Sequence, residues 1–189
     1  MTAYVLATAN PDKAREVAEI LEGFDLRPRP SDLADVDETG ATLEENARLK
    51  AAAVMAATGA PAIADDTGLE VDALGGRPGV HTARFAGVGS TYAENVAKLL
   101  ADLDGVTDRR ARFRTVALAL FPDGREVVAT GVVEGHITTE RRGDGGFGYD
   151  PVFEADEAGG RTFAEMGPEK HELSHRGRAF RALAAQLSL

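Results

Sequence analysis

The chain has 189 residues, which is long enough for one domain with a sizeable core and short for two independent ones. We therefore expect residues 1–189 to form a single domain. Hydrophobic residues make up 43% and charged residues 28%, as in an ordinary globular protein, and no apolar run is long enough to span a membrane. The net charge of −10 argues against a nucleic-acid partner, and we interpret most of the acid excess as solvated surface.

Two further absences bear on the compartment. The chain contains no cysteine, which excludes disulfides and thiolate metal sites. Its first ten residues lack the basic start and long apolar core of a signal peptide. Together these features predict a cytoplasmic protein without a membrane partner.

The first predicted elements alternate between strands and helices. "AYVLAT" favours a strand, and in the helix that follows, Asn10 suits the N-cap and Pro11 the first helical position. The next helix begins at the capping-box pair Thr42 and Glu45, ends at Gly59, and contains many alanines that allow close approach to a sheet. We then predict a strand in "PAIAD", a Thr-Gly turn, and a second strand in "LEVDAL".

The second half of the chain is richer in β-structure. A third helix, "STYAENVAKLLADLDG", opens with the capping-box pair Thr91 and Glu94. The runs "ARFRTVALALF" and "EVVATGVVEGHI", joined by "PDGR", predict a long antiparallel hairpin. After the glycine-rich segment "GDGGFGYD", the chain ends in the helical pattern "SHRGRAFRALAAQLSL". These elements predict an α/β protein with a mixed, twisted central sheet.

Two basic side chains are candidates for phosphate binding. The segment "TANPDK" lies where the first strand leads into the first helix, and the helix dipole there favours an anion within reach of Lys13. Lys50 shares a helix face with Asn46. The alternative for either lysine is a solvated surface residue, and the spacing of a Walker loop is absent.

The adjacent carboxylates Asp65 and Asp66 are candidates for metal or acid–base chemistry. Neighbours on a regular strand point to opposite faces, so both cannot bind one ion there. One of them can face a ligand, bind Mg²⁺ or orient a water, while the other orients nearby structure. The alternative is an Asx turn in which either carboxylate accepts local backbone N–H groups.

Two later segments suit a nucleotide base. Glycines in "GGFGYD" allow close approach to a flat ligand, which Phe147 and Tyr149 can stack on and Asp150 can bind. The alternative is a β-turn with core aromatics. "EKHELSHRG" concentrates positive donors near the last helix, and His171 and His175 lack a clear third ligand for zinc.

Five motifs occur in order: "TANPDK", "ENARLKA", "IADDTGLEVDALGGRPGVHTARFAG", "GGFGYDPVF" and "SHRGRAF". In this combination the chain closely resembles the inosine triphosphate pyrophosphatase family, which includes the XTP/dITP pyrophosphatases. The resemblance runs from Val5 to about Leu183. It implies an enzyme that hydrolyses ITP, dITP and XTP to the monophosphate and pyrophosphate, and so removes deaminated purine nucleotides from the pool.

The resemblance also implies a Mg²⁺ cofactor, a homodimer, and helices flanking an elongated, mixed, twisted sheet, with two lobes and a central cleft. The implied catalytic residues are Asp66, Lys13 and Lys50. The implied metal ligands are Asp66 with Asp37 or Glu38. The implied substrate-binding residues are Thr8, Ala9, Asn10, Pro11, Asp12, Lys13, Thr67, Phe147, Gly148, Tyr149, Asp150, Lys170, His175 and Arg176.

Three positions depart from the family's pattern. Ala9 replaces a frequent glycine and Thr67 replaces serine, and both changes are small. Asp37 stands where a glutamate is expected and is one methylene shorter, so the metal role can pass to Glu38 or run through water. Asp65 is expected to support Asp66, by fixing the turn or by binding residues around the site.

Base selection and two other functions remain open at this stage. N–H donors from His175, Arg176 or the loop near Phe147 would accept the 6-keto oxygen of ITP and XTP and oppose the 6-amino group of ATP. A Maf-like pyrophosphatase for modified pyrimidines and m7GTP is one alternative, which the "FGYD" and "SHR" segments disfavour. A nucleotide sensor without turnover is the other, which Lys13, Lys50 and Asp66 disfavour.

Overall fold

The structure is a computed structural model that describes residues 2–188, so the two ends of the predicted domain, residues 1 and 189, lie outside it. The strands are β1 (Ala3–Leu6), β2 (Asp25–Arg27), β3 (Ala62–Val71), β4 (Pro78–Gly79), β5 (Arg110–Leu120), β6 (Glu126–Ile137) and β7 (Phe153–Ala155). The helices are α1 (Pro11–Ile20), α2 (Leu43–Thr58), α3 (Tyr92–Asp102), α4 (Lys170–Leu173) and α5 (His175–Leu187). Across residues 2–188 no helix has the length and apolar character needed to cross a membrane.

The strands form one mixed sheet in the order β2-β1-β3-β5-β6-β7, with β4 beside β3. β1 runs parallel to β2 and β3, whereas β4 is antiparallel to β3 and β7 is antiparallel to β6. The predicted α/β class with a mixed sheet is thus confirmed. The chain divides into two compact units, and β3, β5 and β6 each contribute residues to both.

The first unit comprises Met1–Asp66, Thr115–Gly131 and His175–Leu189. Alternation along the strands separates its core into two clusters. One joins Ile63 of β3 to Val17 of α1 and Phe180 of α5. The other joins Ala62 and Ala64 of β3 to α2, whose fully buried alanines allow the predicted close approach.

The second unit comprises Thr67–Arg114 and Val132–Ser174. Its core packs Leu69 of β3 and Leu99 of α3 with a cluster of aromatic rings. The ring centroids of Phe113 and Phe153 lie 4.7 Å apart, and those of Phe153 and Phe163 lie 5.1 Å apart. The glycine-rich segment therefore leads directly into a rigid apolar core.

The predicted helix boundaries and hairpin are confirmed. Asn10 caps α1 through two backbone N–H groups, and α2 and α3 both begin with the reciprocal bonds of a capping box. β5 and β6 form the antiparallel hairpin: near its turn the Phe121 N–H donates to the carbonyl of Arg125, and at its far end the Ile137 N–H donates to the carbonyl of Arg109.

The predicted Thr-Gly turn after Asp66 is wrong. Thr67 and Gly68 lie within β3, which continues without interruption to Val71. Leu69 and Val71 are fully buried in the second core, and Leu69 pairs with Gly79 of β4. These contacts stabilise the extended chain. Gly68 therefore does not have the positive φ that a turn with glycine at its third position would require. Asp65 therefore fixes no turn.

Candidate active site

β3 directs its two adjacent carboxylates to opposite faces of the sheet. Asp65 lies two residues after Ile63, on the same face of β3, and points toward α1 and α5. Asp66 lies two residues after Ala64, on the other face, and points toward α2. Both residues are buried, with 4% and 5% of their surface exposed. The predicted separation is confirmed, and ion pairs replace the Asx turn that was its alternative.

Asp65 is held between two cations. Lys13 Nζ lies 3.1 Å from its Oδ2, and Arg176 Nη2 lies 3.5 Å from the same oxygen. Arg176 Nη1 also donates to Glu16 on α1. Burial alone would raise the pKa of Asp65, but the charges of Lys13 and Arg176 outweigh it and hold the pKa well below its usual range. Asp65 is therefore a permanent anion that positions Lys13.

Lys13 lies in the first turn of α1, in a strongly desolvated position. Burial lowers its pKa despite the attraction of Asp65. The amide groups of Asp12 and Lys13 bond Asn10 Oδ1 at 2.9 and 3.3 Å, and Thr8 Oγ1 accepts the Asn10 N–H at 3.1 Å. Because Asn10 takes these two amide protons, the ammonium group of Lys13 is the main donor that this helix end offers an anion.

Asp66 is held by two side chains of α2. Lys50 Nζ lies 3.1 Å from Asp66 Oδ1, and Asn46 Nδ2 donates to Asp66 Oδ2 at 3.2 Å. Burial raises the pKa of Asp66 and outweighs the opposing charges of Lys50 and Lys13. Burial alone would lower the pKa of Lys50, but Asp66, Asp65 and Glu38 raise it. Asp66 thus has the raised pKa that suits a proton acceptor.

Glu38 is the second carboxylate beside Asp66. Its Oε1 lies 2.9 Å from Lys50 Nζ, so both carboxylates contact one ammonium group. Asp37 is exposed, and among residues 2–188 no group of three acidic, histidine or cysteine side chains is arranged so that it could hold a metal ion. The structure brings Glu38, not Asp37, to Asp66.

The site's donor set fits magnesium. This ion takes one or two protein carboxylates and keeps several waters. The position between Glu38 and Asp66 already accepts a cation, because the ammonium group of Lys50 contacts both. Glu38 and Asp66 are therefore the residues suited to hold Mg²⁺.

A second constellation lies within the second unit. Asp150 Oδ2 accepts the Phe147 N–H at 2.9 Å and Lys170 Nζ at 2.7 Å. The Lys170 ammonium lies 5.5 Å from the centroid of the half-buried Phe147 ring. The Tyr149 hydroxyl donates to the carbonyl of Thr82 at 2.9 Å. These bonds fix the glycine-rich loop, and the half-buried Phe147 ring, whose centroid lies 5.7 Å from that of the Tyr92 ring, is its candidate for stacking.

The other predicted site residues are divided between the two units. Thr8 to Lys13, His175 and Arg176 belong to the first, and Thr67, Phe147 to Asp150 and Lys170 belong to the second. Arg176 was predicted for the base pocket, and its described contacts are with Glu16 and Asp65. Its role toward a base stays a prediction.

Sequence reasoning missed the structural roles of Glu16 and Asn46. Glu16 lies directly before the buried Val17 on α1. Asn46 lies between the buried Leu43 and Ala47 on α2. A polar side chain in the buried register of a helix was the available signal, because such a group needs a partner.

A family model and named relatives both match nearly the whole chain. The model of the Ham1 family matches residues 4–186. A dITP/XTP pyrophosphatase of Thermus thermophilus is 51% identical over 189 residues, covering 95% of this chain and 88% of that protein. The dITP/XTP pyrophosphatase of Syntrophobacter fumaroxidans is 49% identical over 180 residues, covering 93% of this chain and 77% of that protein.

Solved structures of similar proteins share the fold of this chain. A HAM1 protein from Coxiella burnetii superposes with a TM-score of 0.89 at 39% identity, covering 100% of this chain and 99% of that one. The nucleoside-triphosphatase / dITP/XTP pyrophosphatase of Mycobacterium abscessus gives a TM-score of 0.75 at 40% identity, covering 98% and 97%. The similarity therefore extends over both units.

Proposed function

This chain belongs to the Ham1 family, and we propose that it is a pyrophosphatase that hydrolyses ITP, dITP and XTP to the nucleoside monophosphate and pyrophosphate. The observation that carries the proposal is the cluster in which Glu38 and Asp66 share Lys50. Lys13, which pairs with Asp65 next to Asp66 on β3, is the second cation. Two cations and a buried carboxylate that can accept a proton suit the attack of water on a polyphosphate.

In the proposed reaction, a water attacks the α-phosphorus and the bond from that phosphorus to the bridging oxygen breaks. Asp66 accepts the proton of the attacking water, for which its raised pKa is favourable. Lys50 and Lys13 donate to the phosphate oxygens and balance the charge that moves toward the departing pyrophosphate. Asp65, which Arg176 contacts at the same oxygen, keeps Lys13 in place.

We also propose that the enzyme depends on Mg²⁺, held by Glu38 and Asp66. When bound, the ion supplies charge neutralisation at the triphosphate and lowers the pKa of a coordinated water. Glu38 and Asp66 would supply its oxygen ligands, and Lys50, which contacts both carboxylates, would donate to a phosphate.

Base recognition is assigned to the loop around Phe147 and to the "SHR" segment. The Phe147 ring stacks on the purine. Asp150 accepts the backbone N–H of Phe147, and Lys170 in turn holds Asp150 in place. N–H donors from the loop, His175 or Arg176 favour a 6-keto oxygen over a 6-amino group. This accounts for discrimination against ATP.

The deciding assay incubates the purified protein and Mg²⁺ with ITP, dITP, XTP, ATP, GTP and m7GTP and separates the products. We expect monophosphate and pyrophosphate from the first three, with much lower kcat/KM for ATP. Orthophosphate release would instead identify a phosphatase, and preference for m7GTP a Maf-like specificity. Binding without product would identify a sensor.

Two further proposals rest on the family resemblance. The protein is a homodimer, and it acts in the cytoplasm. Light scattering during gel filtration should give twice the mass of 19.9 kDa, and a mass of one chain would refute the dimer. Fractionation of the native host should recover the protein with cytoplasmic markers.

A further inference from the structure

Asn46 is a fully buried amide that connects three parts of the candidate site. Its side chain has no solvent exposure, and it lies one helical turn before Lys50 on α2. Asn46 Oδ1 accepts the N–H of Gly40 at 2.8 Å, and Asn46 Nδ2 donates to Asp66 Oδ2 at 3.2 Å. The loop that carries Glu38 is thereby connected to Asp66.

The chain contains a close internal comparison. The pattern Thr42-x-x-Glu45-Asn46 of α2 recurs as Thr91-x-x-Glu94-Asn95 in α3, with the same capping box. Asn95 is also buried, and its Oδ1 accepts N–H and O–H groups of the preceding loop from Ala86 and Ser90.

The two amides differ in what they donate to. Asn95 Nδ2 donates to the carbonyl of Ala83, so its role is confined to loop structure. Asn46 Nδ2 donates to a carboxylate oxygen of Asp66. The residue four positions further along also differs, since Leu99 enters the core while Lys50 contacts Asp66.

We propose that Asn46 is a positioning residue, which acts through Asp66 by fixing the orientation of its carboxylate. This inference rests on the proposed function, because it deepens the role of Asp66 in that reaction. Nothing in the reaction requires Asn46 itself to touch the substrate.

The geometry restrains Asp66 at both oxygens. Lys50 contacts Oδ1 and Asn46 contacts Oδ2, so rotation of the carboxylate breaks at least one bond. In the proposed reaction Lys50 donates to a phosphate, and the bond from Asn46 to Oδ2 still restrains the carboxylate when Lys50 leaves Oδ1. A neutral amide suits this task because it neither ionises nor competes for the phosphate.

Gly40 locks the orientation of the amide itself. Since the Gly40 N–H donates to Oδ1, the NH₂ group of Asn46 is the end that faces Asp66. A Cβ at position 40 would lie 2.7 Å from Asn46 Oδ1 and 2.7 Å from Glu45 Cβ. Glycine is therefore required for the loop to approach this closely.

The test compares Asn46→Leu with the matched control Asn95→Leu. With dITP and Mg²⁺, we expect Asn46→Leu to lower kcat about 10- to 100-fold, the usual effect of losing a residue that orients a ligand. KM should change far less, whereas Asn95→Leu should keep kcat within about twofold at a temperature well below its unfolding midpoint. Equal loss of kcat in both variants would reduce Asn46 to a structural residue and overturn the proposal.

The variant Asn46→Asp separates two roles of Asn46: the hydrogen bond that it donates to Asp66 and the bond that it accepts from the Gly40 loop. It remains informative if the leucine variant does not fold. The introduced carboxyl still accepts the Gly40 N–H but, when ionised in alkaline buffer, donates nothing to Asp66. We expect a large loss of kcat while the Gly40 amide stays protected from hydrogen exchange. Wild-type kcat in this variant would show that Asn46 only tethers the loop.

A binding measurement keeps the inference separate from the proposed function. Calorimetric titration with Mg²⁺ should give about tenfold weaker binding in Asn46→Leu and unchanged binding in Asn95→Leu. If the wild-type protein hydrolyses no deaminated nucleotide, the proposed function fails, and this titration still decides the role of Asn46. Unchanged Mg²⁺ affinity in Asn46→Leu would count against it.

Discussion

Asp65 and Asp66 are neighbours on β3, yet each holds the ammonium group of a different helix. Asp65 lies 3.1 Å from Lys13 of α1, and Asp66 lies 3.1 Å from Lys50 of α2. Their pKa values shift in opposite directions, down for Asp65 and up for Asp66. The fold therefore stabilises the charge of one carboxylate and opposes the charge of the other.

This contrast predicts different effects of Asp65→Asn and Asp66→Asn. The first removes the anion that pairs with the buried Lys13 and leaves Arg176 paired with Glu16, and we expect the free energy of unfolding to fall by about 3–5 kcal/mol. The second removes a carboxylate whose charge is opposed by burial, so the protein should keep its stability and lose kcat about 100-fold or more. Urea unfolding and dITP turnover measure the two effects.

Equal stability of the two variants would contradict the opposite pKa directions of Asp65 and Asp66. Near wild-type kcat in Asp66→Asn would remove Asp66 from its proposed role as proton acceptor. Either result can be read without the other, because unfolding and turnover are measured separately.

A second prediction concerns Lys50→Met. Loss of the ammonium group leaves Glu38 and Asp66 without the cation they share, so a divalent ion should bind more tightly to the nucleotide-free protein. We expect tighter Mg²⁺ binding by calorimetry together with a strongly reduced kcat. The control is Lys98→Met, which removes a lysine that pairs with Asp102 on α3 and lies 4.9 Å from the centroid of the Phe85 ring. Weaker Mg²⁺ binding in Lys50→Met would argue against a metal site between Glu38 and Asp66.

A third prediction concerns the glycine-rich loop. An added Cβ at Gly146 would lie 2.0 Å from Asp150 Oδ2, whereas a Cβ at Gly148 would meet nothing within 4 Å. Both glycines have positive φ, so Gly146→Ala and Gly148→Ala share a backbone cost of about 1–2 kcal/mol. Only Gly146→Ala displaces the Asp150 carboxylate, which holds Phe147 and Lys170. We expect it to raise KM for dITP about tenfold more than Gly148→Ala does. Steady-state kinetics of the pair would contradict this if both KM values rose equally.

A fourth prediction concerns Tyr149. Burial raises its pKa, and the neutral hydroxyl donates to the carbonyl of Thr82. A raised pKa in the folded state means that this contribution to stability is fully present below the unfolded value of about 10 and is lost as the pH rises through the folded pKa. Tyr149→Phe should lose about 1 kcal/mol of stability near neutral pH, and the difference from wild type should shrink in alkaline solution.

Absorbance during alkaline titration measures the same group directly. The chain has three tyrosines, and in the wild type the phenol of Tyr149 should ionise later than usual because burial raises its pKa. That late step should vanish in Tyr149→Phe and persist in Tyr92→Phe, where the altered ring is 43% exposed. A late step that survives in Tyr149→Phe would refute its assignment to this residue.

Local signals in the sequence predicted the helices well. Asn10, the pair Thr42 and Glu45, and the pair Thr91 and Glu94 bond within a few residues of themselves, so their role is readable without the rest of the chain. The five ordered motifs identified the family, and the matches to the Ham1 family and its dITP/XTP pyrophosphatases confirm that resemblance.

Local signals failed where distant contacts decide. Thr67 and Gly68 read as a turn, but pairing with β4 and burial of Leu69 keep β3 extended. Local signals also gave no indication that Arg176 would bond Glu16, 160 residues away, and Asp65; its role toward a base stays a prediction.

The sequence by itself determined the family, the helix ends and the alternation that turns Asp65 and Asp66 apart, because each depends on order or on neighbours along the chain. The tertiary structure alone decided the partners of those carboxylates. It brought Lys13 and Arg176 to Asp65, and it selected Glu38 over Asp37 beside Asp66. It also made Asn46 a hydrogen-bond partner of Asp66. Buried charges and amides must find partners wherever the fold supplies them, and these partners lie far apart in the chain.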